Sequence, residues 1–376
     1  MKILFLAEIK WRYLRTRKQQ ILRRFPKDWQ ILFIEPYAVG KDNRFRPQRE
    51  ENIVYLTVPY FKNFPQRWLQ CLLQVSLVRG VVIVLNALWL SSILRSTGFR
   101  RPEIVMVSNI YYAPILRLLL RNRPVIYECN DDHLSFPLTP VWAKNYFLSL
   151  CRRAERITCS SQALCEIIPP AAREKTVLIG NGVDISLFSR TMDAPPEALQ
   201  KIPRPILLYL GALSEWIDFD LLERIAATHQ DKTLALVGPV AAAMRPRLQR
   251  LLAAPNVWHL GEVNHDEIAA YIFAANVCLI PFVKNQLTRG VNPNKLYEYL
   301  AAGKAVVSID ISPEVVALQH EIFLASDPQS FLQQIDQALL QTHGRREQRR
   351  ALAAANDWQE KANQMVRLIK EVCEKR

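Results

Sequence analysis

A lysine and a glutamate three residues apart, Lys295 and Glu298, lie in the part of the sequence with the clearest capacity for chemistry. From residue 288 to residue 307 the chain reads TRGVNPNKLYEYLAAGKAVV. Pro293 favours the start of a helix and Gly303 favours its end, with leucine and tyrosine between them on one face. The first turn of a helix has unpaired backbone N–H groups and a partial positive charge. The pattern therefore predicts a helix start that binds a diphosphate.

Six residues of this stretch are predicted to bind the ligand: Arg289, Asn292, Asn294, Lys295, Leu296 and Glu298. The cations of Arg289 and Lys295 suit a diphosphate. Glu298 suits a ribose diol, because an ionised carboxylate only accepts hydrogen bonds. An ordinary Lys–Glu pair on a capped helix without a ligand is the alternative.

Three titratable side chains, Asp131, Asp132 and His133, follow the predicted strand Val125–Tyr127. Ligands of open α/β sheets bind beyond the carboxyl ends of the strands. In such a place Asp132 could act as a base or hydrogen-bond a substrate hydroxyl, and His133 could neutralise a phosphate or orient the substrate. The alternative is that both aspartates cap the next helix while His133 is merely exposed.

Basic residues crowd the segment that follows the first predicted strand, Ile3–Ala7. They are Lys10, Arg12, Arg15, Arg17, Lys18, Arg23, Arg24 and Lys27. Such a patch attracts phosphates, or an anionic membrane at about 1 kcal/mol per basic residue near the surface. A solvated basic helix without a partner is the alternative.

Short apolar runs alternate with stretches of helical spacing, which predicts parallel sheets covered on both faces. Twelve runs are predicted as strands: Ile3–Ala7, Gln30–Ile34, Ile53–Val58, Ile104–Val107, Val125–Tyr127, Arg156–Cys159, Thr176–Ile179, Ile206–Leu210, Thr233–Val237, Val257–Leu260, Val277–Ile280 and Ala305–Ile309. Residues 188–205 break the alternation with four prolines. We therefore predict two Rossmann-like, doubly wound α/β domains that face each other across a cleft, at 1–187 and 206–356, with a linker at 188–205 and a helix at 357–376.

The net charge of +14 is concentrated in the first half of the chain. Residues 1–190 contain 29 Lys and Arg against 14 Asp and Glu, whereas residues 191–376 contain 20 against 21. A basic half attracts polyanions, anionic lipids or phosphorylated substrates. Nucleic acid is not expected, because no aromatic and basic motif of a known nucleic-acid module is present.

Seven cysteines without a Cys-x-x-Cys pair indicate reduced thiols in a cytoplasm. The apolar run Trp68–Leu94 is the one membrane candidate, but Arg79 would cost about 2.5–3.5 kcal/mol near the centre of a span. Gly80 is expected to break the run into a helix at Arg67–Leu77 followed by a short strand or helix. Docking on a bilayer surface is therefore favoured over a span.

The stretch 288–307 resembles the donor-site helix of the glycosyltransferase family 4 (group 1) enzymes. That helix commonly reads as a Glu, seven residues, a second Glu and a small-residue run ending Gly-x-Pro-Val-Val. Glu298 matches the second Glu, and Ala305 stands at the usual proline. The first Glu is replaced by Gly290, which implies that sugar recognition differs here. Residues 292–300, NPNKLYEYL, resemble a branch with an Asn-Pro-x-Lys-x-x-Glu-Tyr-Leu helix.

Other segments resemble family elements in the same order. Residues 181–184, NGVD, resemble the hinge, where Gly182 is expected to supply a positive φ. Gly211 and Gly238 fall in segments that resemble strand ends of the donor domain, so both join the predicted donor-binding set. Trp358 resembles part of the family's crossing helix, which packs back on the N-terminal domain.

The resemblance implies a retaining GT-B glycosyltransferase with an acceptor domain first and a nucleotide-sugar domain second. It implies a nucleotide-diphosphate sugar as donor, a glycan or lipid-linked acceptor, no cofactor and no obligatory metal. The protein would be cytoplasmic, with an anionic membrane as a further partner. The family's glycine-rich acceptor loop is replaced here by the predicted acceptor residues Trp11, Arg17, Lys18 and Gln19. A nucleotide-sugar epimerase and a non-catalytic binding protein of the same fold are the alternatives.

Overall fold

The structure is a computed structural model that describes residues 1–12, 15–38, 42–61, 67–136, 139–189, 195–341 and 344–375. It consists of two compact units. The first comprises Met1–Gly180 and the chain from Ala362 onward, and the second comprises Asn181–Lys361. Of the predicted linker, residues 190–194 lie outside the described residues, while Leu199 and Ile202 are buried in the core of the second unit.

The first unit is built around an eight-stranded sheet with the order β3-β4-β2-β1-β5-β6-β7-β8. Its strands are β1 (Lys2–Leu6), β2 (Gln30–Tyr37), β3 (Gln48–Glu50), β4 (Ile53–Phe61), β5 (Ile104–Val107), β6 (Val125–Cys129), β7 (Arg156–Cys159) and β8 (Thr176–Leu178). Its helices are α1 (Arg17–Leu22), α2 (Arg67–Gln74), α3 (Ser76–Ser96), α4 (Ala113–Leu119), α5 (Ala143–Arg153) and α6 (Gln162–Ile167). All strand pairs are parallel except β3 with β4.

The second unit contains a six-stranded, fully parallel sheet with the order β11-β10-β9-β12-β13-β14. Its strands are β9 (Ile206–Leu210), β10 (Thr233–Val237), β11 (Val257–His259), β12 (Val277–Ile280), β13 (Ala305–Ile309) and β14 (Phe323–Ala325). Its helices are α7 (Glu197–Gln200), α8 (Phe219–Thr228), α9 (Arg245–Leu251), α10 (Ile268–Ala274), α11 (Gln286–Arg289), α12 (Asn294–Ala301), α13 (Pro313–Val316), α14 (Pro328–Leu340) and α15 (Arg346–Ala354). The last helix, α16 (Trp358–Glu374), begins in this unit and ends in the first.

The alternation of apolar strands and helices is confirmed, since all twelve predicted strands are present with bounds shifted by a few residues at most. Two strands were not predicted. β3 carries only polar residues, and its antiparallel place at the sheet edge needs no apolar run. β14 has three residues, which is too short for a periodic pattern to register.

The prediction of a break at Gly80 is wrong. The chain turns at Val75, which has an extended conformation, and α3 then runs for 21 residues through Gly80. A Cβ added at Gly80 would meet nothing within 4 Å, so this glycine is compatible with an uninterrupted helix. Glycine weakens a helix by about 1 kcal/mol relative to alanine, which the apolar residues of α3 outweigh.

The prediction of a positive φ at Gly182 is also wrong, because Gly182 is not among the positive-φ glycines. A Cβ at this position would lie 2.3 Å from the carbonyl oxygen of Asn356. Gly182 therefore allows a close approach of two backbone segments within the second unit.

Candidate functional site

In the second sheet the chain reverses its winding between β9 and β12. β10 and β11 extend the sheet on one side of β9, whereas β12, β13 and β14 extend it on the other. Neighbouring crossover loops diverge at such a switch point and leave a crevice at the carboxyl ends of the strands. The loop after β9 begins with Gly211, the loop after β10 with Gly238, and the segment after β12 leads to α11 and α12.

Hydrogen bonds tie these three segments together along the carboxyl edge. The Leu213 N–H donates to the Pro239 carbonyl at 2.8 Å, and the Val283 N–H donates to the Trp216 carbonyl at 2.9 Å. The Asp218 N–H donates to the Pro281 carbonyl at 2.8 Å, while the Asp218 side chain caps α8. Segment 215–220 is thus a scaffold for this edge.

Gly211 and Gly238 are in direct contact. A Cβ at Gly238 would lie 2.1 Å from the carbonyl oxygen of Gly211, and the φ of Gly238 is +139°. The Gly238 N–H donates to the Gly261 carbonyl at 2.7 Å, and a ring nitrogen of His259 lies 2.9 Å from the Gly238 carbonyl. Because neither glycine has a side chain, the backbones of the two loops approach each other closely at the switch point.

Replacing Gly238 by alanine is expected to cost about 1–3 kcal/mol more folding free energy than replacing Gly261 by alanine. Gly261 is a matched control, because its φ of +75° is also positive but nothing lies within 4 Å of its added Cβ. Thermal unfolding of the two variants measures the difference. Equal losses in Tm would contradict the close approach.

The start of α12 lies at the same edge, since the helix follows β12 and precedes the parallel strand β13. Its N-cap is Pro293, whose side chain makes no capping hydrogen bond. The Oδ1 atom of Asn294 is buried and, within the described chain, has no hydrogen-bond partner. An unsatisfied buried amide and an uncapped first turn are both suited to a hydrogen-bonding ligand.

Lys295 and Glu298 form an ion pair on the first turn of α12, with Nζ and Oε2 2.8 Å apart. The i,i+3 pair that the alternative describes is therefore present, whereas the capped helix start that it also describes is not. Glu298 is buried and Lys295 half-buried, so a ligand reaching the pair would meet charges that are already oriented.

The other predicted donor residues occupy different environments. The Arg289 side chain is exposed at the end of α11, directly before the buried Gly290. The Asn292 carbonyl accepts a 2.7 Å hydrogen bond from Nδ2 of Asn181. The side chain of Leu296 lies in the hydrophobic core, so this residue supports the helix rather than contacting a ligand with its side chain.

The first unit has its own switch point, between β1 and β5. Glu8 lies just beyond β1, Ser108 directly follows β5, and His133 lies in the loop after β6. Lys18 forms an ion pair with Glu8, and Oγ of Ser108 donates to the same carboxylate. Nε2 of His133 lies 2.9 Å from the Ser108 carbonyl, which can only accept, so this nitrogen carries a hydrogen. Predicted residues from two distant segments, Lys18 and His133, thus belong to one network.

The cations of α1 are buried and compensated by carboxylates. Nε of Arg17 lies 2.9 Å from Oε1 of Glu128, and its Nη1 donates to the Gly180 carbonyl at 2.6 Å. Burial opposes the charge on Lys18, but Glu8, Glu128 and Asp131 outweigh this effect and raise its pKa. The alternative of a solvated basic helix is therefore wrong for Arg17 and Lys18, which are 3% and 4% exposed.

The side chain of Asp132 stabilises the turn that follows it. Oδ1 accepts a 3.1 Å hydrogen bond from the Leu134 N–H, and Oδ2 accepts one from the Ser135 hydroxyl. The alternative that the aspartates cap the next helix is wrong, since α5 begins only at Ala143. His133 is buried rather than exposed.

The remaining predicted acceptor residues lie in the interior of the first unit. The Trp11 ring packs edge-on against Phe33, and its Nε1 donates to Glu50 at 2.9 Å. Nε2 of Gln19 donates to the Trp11 carbonyl at 3.1 Å. Arg23 pairs with Glu50 at 2.7 Å, so this cation of the basic patch, like Arg17 and Lys18, is neutralised by a carboxylate.

Sequence reasoning missed three residues of this network, Glu8, Ser108 and Glu128, and also Asn130, which follows β6 directly. Both side-chain amide atoms of Asn130 are buried and lack hydrogen-bond partners among the described residues. A carboxylate inside or beside an apolar strand indicates a buried cation that pairs with it. Glu8 and Glu128 are in such places, so they could have predicted that the cations of the nearest basic helix are buried.

Comparison with solved structures defines the class of fold. The chain is similar to HepE of Anabaena, solved in complex with UDP, with 18% identity, a TM-score of 0.68 and coverage of 99% of this chain and 100% of HepE. It is similar to sucrose-phosphate synthase of Thermosynechococcus elongatus, with 15% identity, a TM-score of 0.75 and full coverage of both chains. With two Rossmann-like units in one chain, the protein has the GT-B fold.

Sequence comparison defines the family. Residues 204–342 match the family model described as glycosyl transferases group 1. TuaH of Bacillus subtilis, whose name assigns it to teichuronic acid biosynthesis as a glycosyltransferase, is 30% identical over 264 residues, which are 65% of this chain and 66% of TuaH. The chain belongs to the group 1 glycosyltransferases and is a transferase.

Proposed function

We propose that the protein transfers a sugar with retention of configuration from a UDP-sugar to a glycan or lipid-linked acceptor in the synthesis of a cell-surface polysaccharide or glycolipid. The observation that carries the proposal is the uncapped start of α12 beside the switch point of the second sheet. HepE, solved with UDP and also with UDP-glucose, supports uridine as the base. TuaH supports a polysaccharide product.

On the donor side, the diphosphate would bind the first-turn N–H groups of α12, where the helix dipole favours negative charge. Lys295 would turn from Glu298 toward the phosphates, and Arg289 would add a second cation. Glu298 would then accept hydrogen bonds from the ribose diol. As the sugar–phosphate bond breaks, charge grows on the diphosphate, and these donors stabilise it more than they stabilise the ground state.

On the acceptor side, His133 and Asn130 would contact the incoming sugar or its acceptor hydroxyl. Nε2 of His133 donates to the Ser108 carbonyl, and this hydrogen bond would orient the ring that acts on the substrate. Asp132 would hold the turn that positions His133, and Asp131 would contribute negative charge beside Lys18. In a front-face transfer the departing diphosphate takes the proton of the acceptor hydroxyl.

The cations and helix amides of the second unit would supply the charge stabilisation that a metal supplies in other phosphate-transfer sites. We therefore expect acceptor-dependent release of UDP from a UDP-sugar to be unchanged by EDTA. Full loss of turnover in EDTA, restored by Mg²⁺ or Mn²⁺, would contradict a metal-independent reaction. Consumption of the UDP-sugar without any acceptor would favour the epimerase instead.

Replacing Glu298 by alanine is expected to weaken UDP binding about 10–100-fold, because a hydrogen bond to a charged group is worth about 1.5–3 kcal/mol. Titration calorimetry with UDP measures the change. Glu298→Gln keeps an acceptor oxygen and should lose less. Glu347→Ala is the matched control, because Glu347 also forms an i,i+3 pair, with Arg350 on the exposed side of α15. Unchanged UDP affinity in Glu298→Ala would rule out the ribose assignment.

We further propose that the enzyme works in the cytoplasm, peripheral on the inner face of the membrane. All seven cysteines are free thiols, which suits a reducing compartment. An acceptor attached to a membrane lipid would be reached from that position.

A further inference from the structure

Helix α3 presents an apolar face to the outside of the first unit. Six large apolar side chains on this face are exposed, from Trp89 at 46% to Leu77 at 76%: Leu77, Val81, Val84, Leu85, Leu88 and Trp89. Their spacing of three to four residues puts them on one side of the helix. We call these six residues the α3 outer face. A contiguous apolar surface of this kind marks an interaction site.

The opposite side of α3 is anchored in the core of the first unit. Asn86, Ala87, Leu90, Ile93 and Leu94 are buried there. By length and composition α3 is able to cross a membrane, and 28% of its most apolar window is buried. A helix packed along one side on a sheet cannot leave it to span a bilayer without exposing that core, whereas its outer face can enter the interfacial layer.

The charged residues around the α3 outer face indicate what kind of partner it binds. From residue 52 to residue 102 the chain has six basic residues and no Asp or Glu. Arg79 stands near the start of α3 and the exposed Arg95 near its end, and the exposed Arg100 follows. Apolar residues framed by cations, in a stretch of chain without Asp or Glu, complement the acyl chains and anionic headgroups of a membrane surface.

Two contacts that involve aromatic rings lie at the edges of this surface. The exposed Phe45 packs against Trp89, with ring centroids 6.5 Å apart, and the exposed Arg46 follows it in the chain. At the other end, the Arg79 guanidinium lies 5.0 Å from the Trp142 ring and donates to the Leu73 and Gln74 carbonyls. Tryptophan and arginine at the rim are typical of helices that lie at the headgroup level.

We propose that the α3 outer face docks the enzyme on the surface of a bilayer rich in anionic phospholipid. The proposal deepens the membrane position given under the proposed function and replaces the basic segment after β1 as the contact. A second copy of the chain is disfavoured as the occupant, because pairing two α3 outer faces would bring the same basic flanks together.

The test is sedimentation of the full chain with vesicles of phosphatidylcholine alone or with phosphatidylglycerol added, without any nucleotide or acceptor. We expect binding to the anionic vesicles to be about 10–100-fold tighter than to the neutral ones. The double variant Leu85→Glu/Leu88→Glu should lower binding to anionic vesicles at least about 10-fold, since two exposed leucines that would enter the bilayer are replaced by carboxylates. Leu340→Glu is the matched control, because Leu340 is 80% exposed on α14 in the second unit.

The proposal is overturned if the wild-type chain fails to bind anionic vesicles, or binds neutral ones equally well. It is also overturned if Leu85→Glu/Leu88→Glu only abolishes a concentration-dependent dimer. UDP affinity of every variant is measured in parallel and should equal that of the wild type. Failure of vesicle binding with intact UDP-sugar turnover would refute the docking surface alone, whereas absence of turnover with intact vesicle binding would refute the transferase reaction alone.

Discussion

Lys18→Met should lower the Tm of the first unit by about 6–20 °C. Removing one partner of a buried ion pair costs about 3–5 kcal/mol, and each kcal/mol shifts the Tm of a unit this size by about 2–4 °C. Lys18 forms an ion pair with the buried carboxylate of Glu8, to which the Ser108 hydroxyl also donates, so its loss removes the cation paired with that carboxylate. Differential scanning calorimetry measures the shift.

Two controls separate a buried pair from a surface pair. Lys27→Met removes a cation paired with Glu51, where both side chains are 67% exposed, and should change the Tm little. The double variant Lys18→Met/Glu8→Gln removes both charges and should recover part of the lost stability. A Tm for Lys18→Met no lower than that of Lys27→Met would contradict the buried pair.

The pH dependence of this effect has a defined sign. The folded-state pKa of Lys18 is raised above its unfolded value, because Glu8, Glu128 and Asp131 outweigh burial. The stabilisation is therefore fully present below the unfolded pKa of about 10.4 and is lost as the pH rises through the higher folded pKa. The Tm difference between wild type and Lys18→Met should be constant near neutral pH and shrink only in strongly alkaline buffer.

His133→Ala should lower kcat about 10²–10³-fold while leaving UDP affinity unchanged. A decrease in kcat of this size is expected when one preorganised hydrogen-bonding group is removed from the reacting centre. UDP affinity is preserved, because the diphosphate and ribose contacts proposed for UDP all lie in the second unit. Steady-state rates with a UDP-sugar and a membrane-derived acceptor, together with UDP titrations, measure the two quantities separately.

Two variants distinguish a role of His133 in the reaction from a role in holding its loop. In His133→Gln the amide nitrogen can still donate to the Ser108 carbonyl, but the imidazole ring is gone. If His133 only held the loop, His133→Gln would retain wild-type kcat, and the proposed role would fail. His229→Ala is the control for loss of a buried histidine, since His229 pairs with Asp336 at the amino end of β10 in the second unit.

The fold could be predicted because its signals are local. Each parallel strand is buried on both faces and therefore appears as a short apolar run, such as Ile206–Leu210 or Ala305–Ile309. α12 was predicted for the same reason, with a proline before it and a glycine at positive φ just after it. The break expected at Gly80 failed because the intrinsic preference of one residue is small against the packing of a 21-residue helix.

The site could be predicted only in part, because its pairings join distant segments. Arg17 and Glu128 are 111 residues apart, and nothing local in the sequence around α1 shows that its cations are buried against carboxylates. The same holds for the bond between His133 and Ser108 across two neighbouring strands. By contrast, Lys295 and Glu298 lie on one helical turn, so their pairing follows from spacing alone.

A structure of the protein with bound UDP tests the central claim most directly. Both phosphates should lie at the start of α12, within about 3 Å of the Asn294 or Lys295 backbone nitrogen, with the ribose beside Glu298. A diphosphate bound elsewhere, with the first turn of α12 still facing only water, would contradict the account.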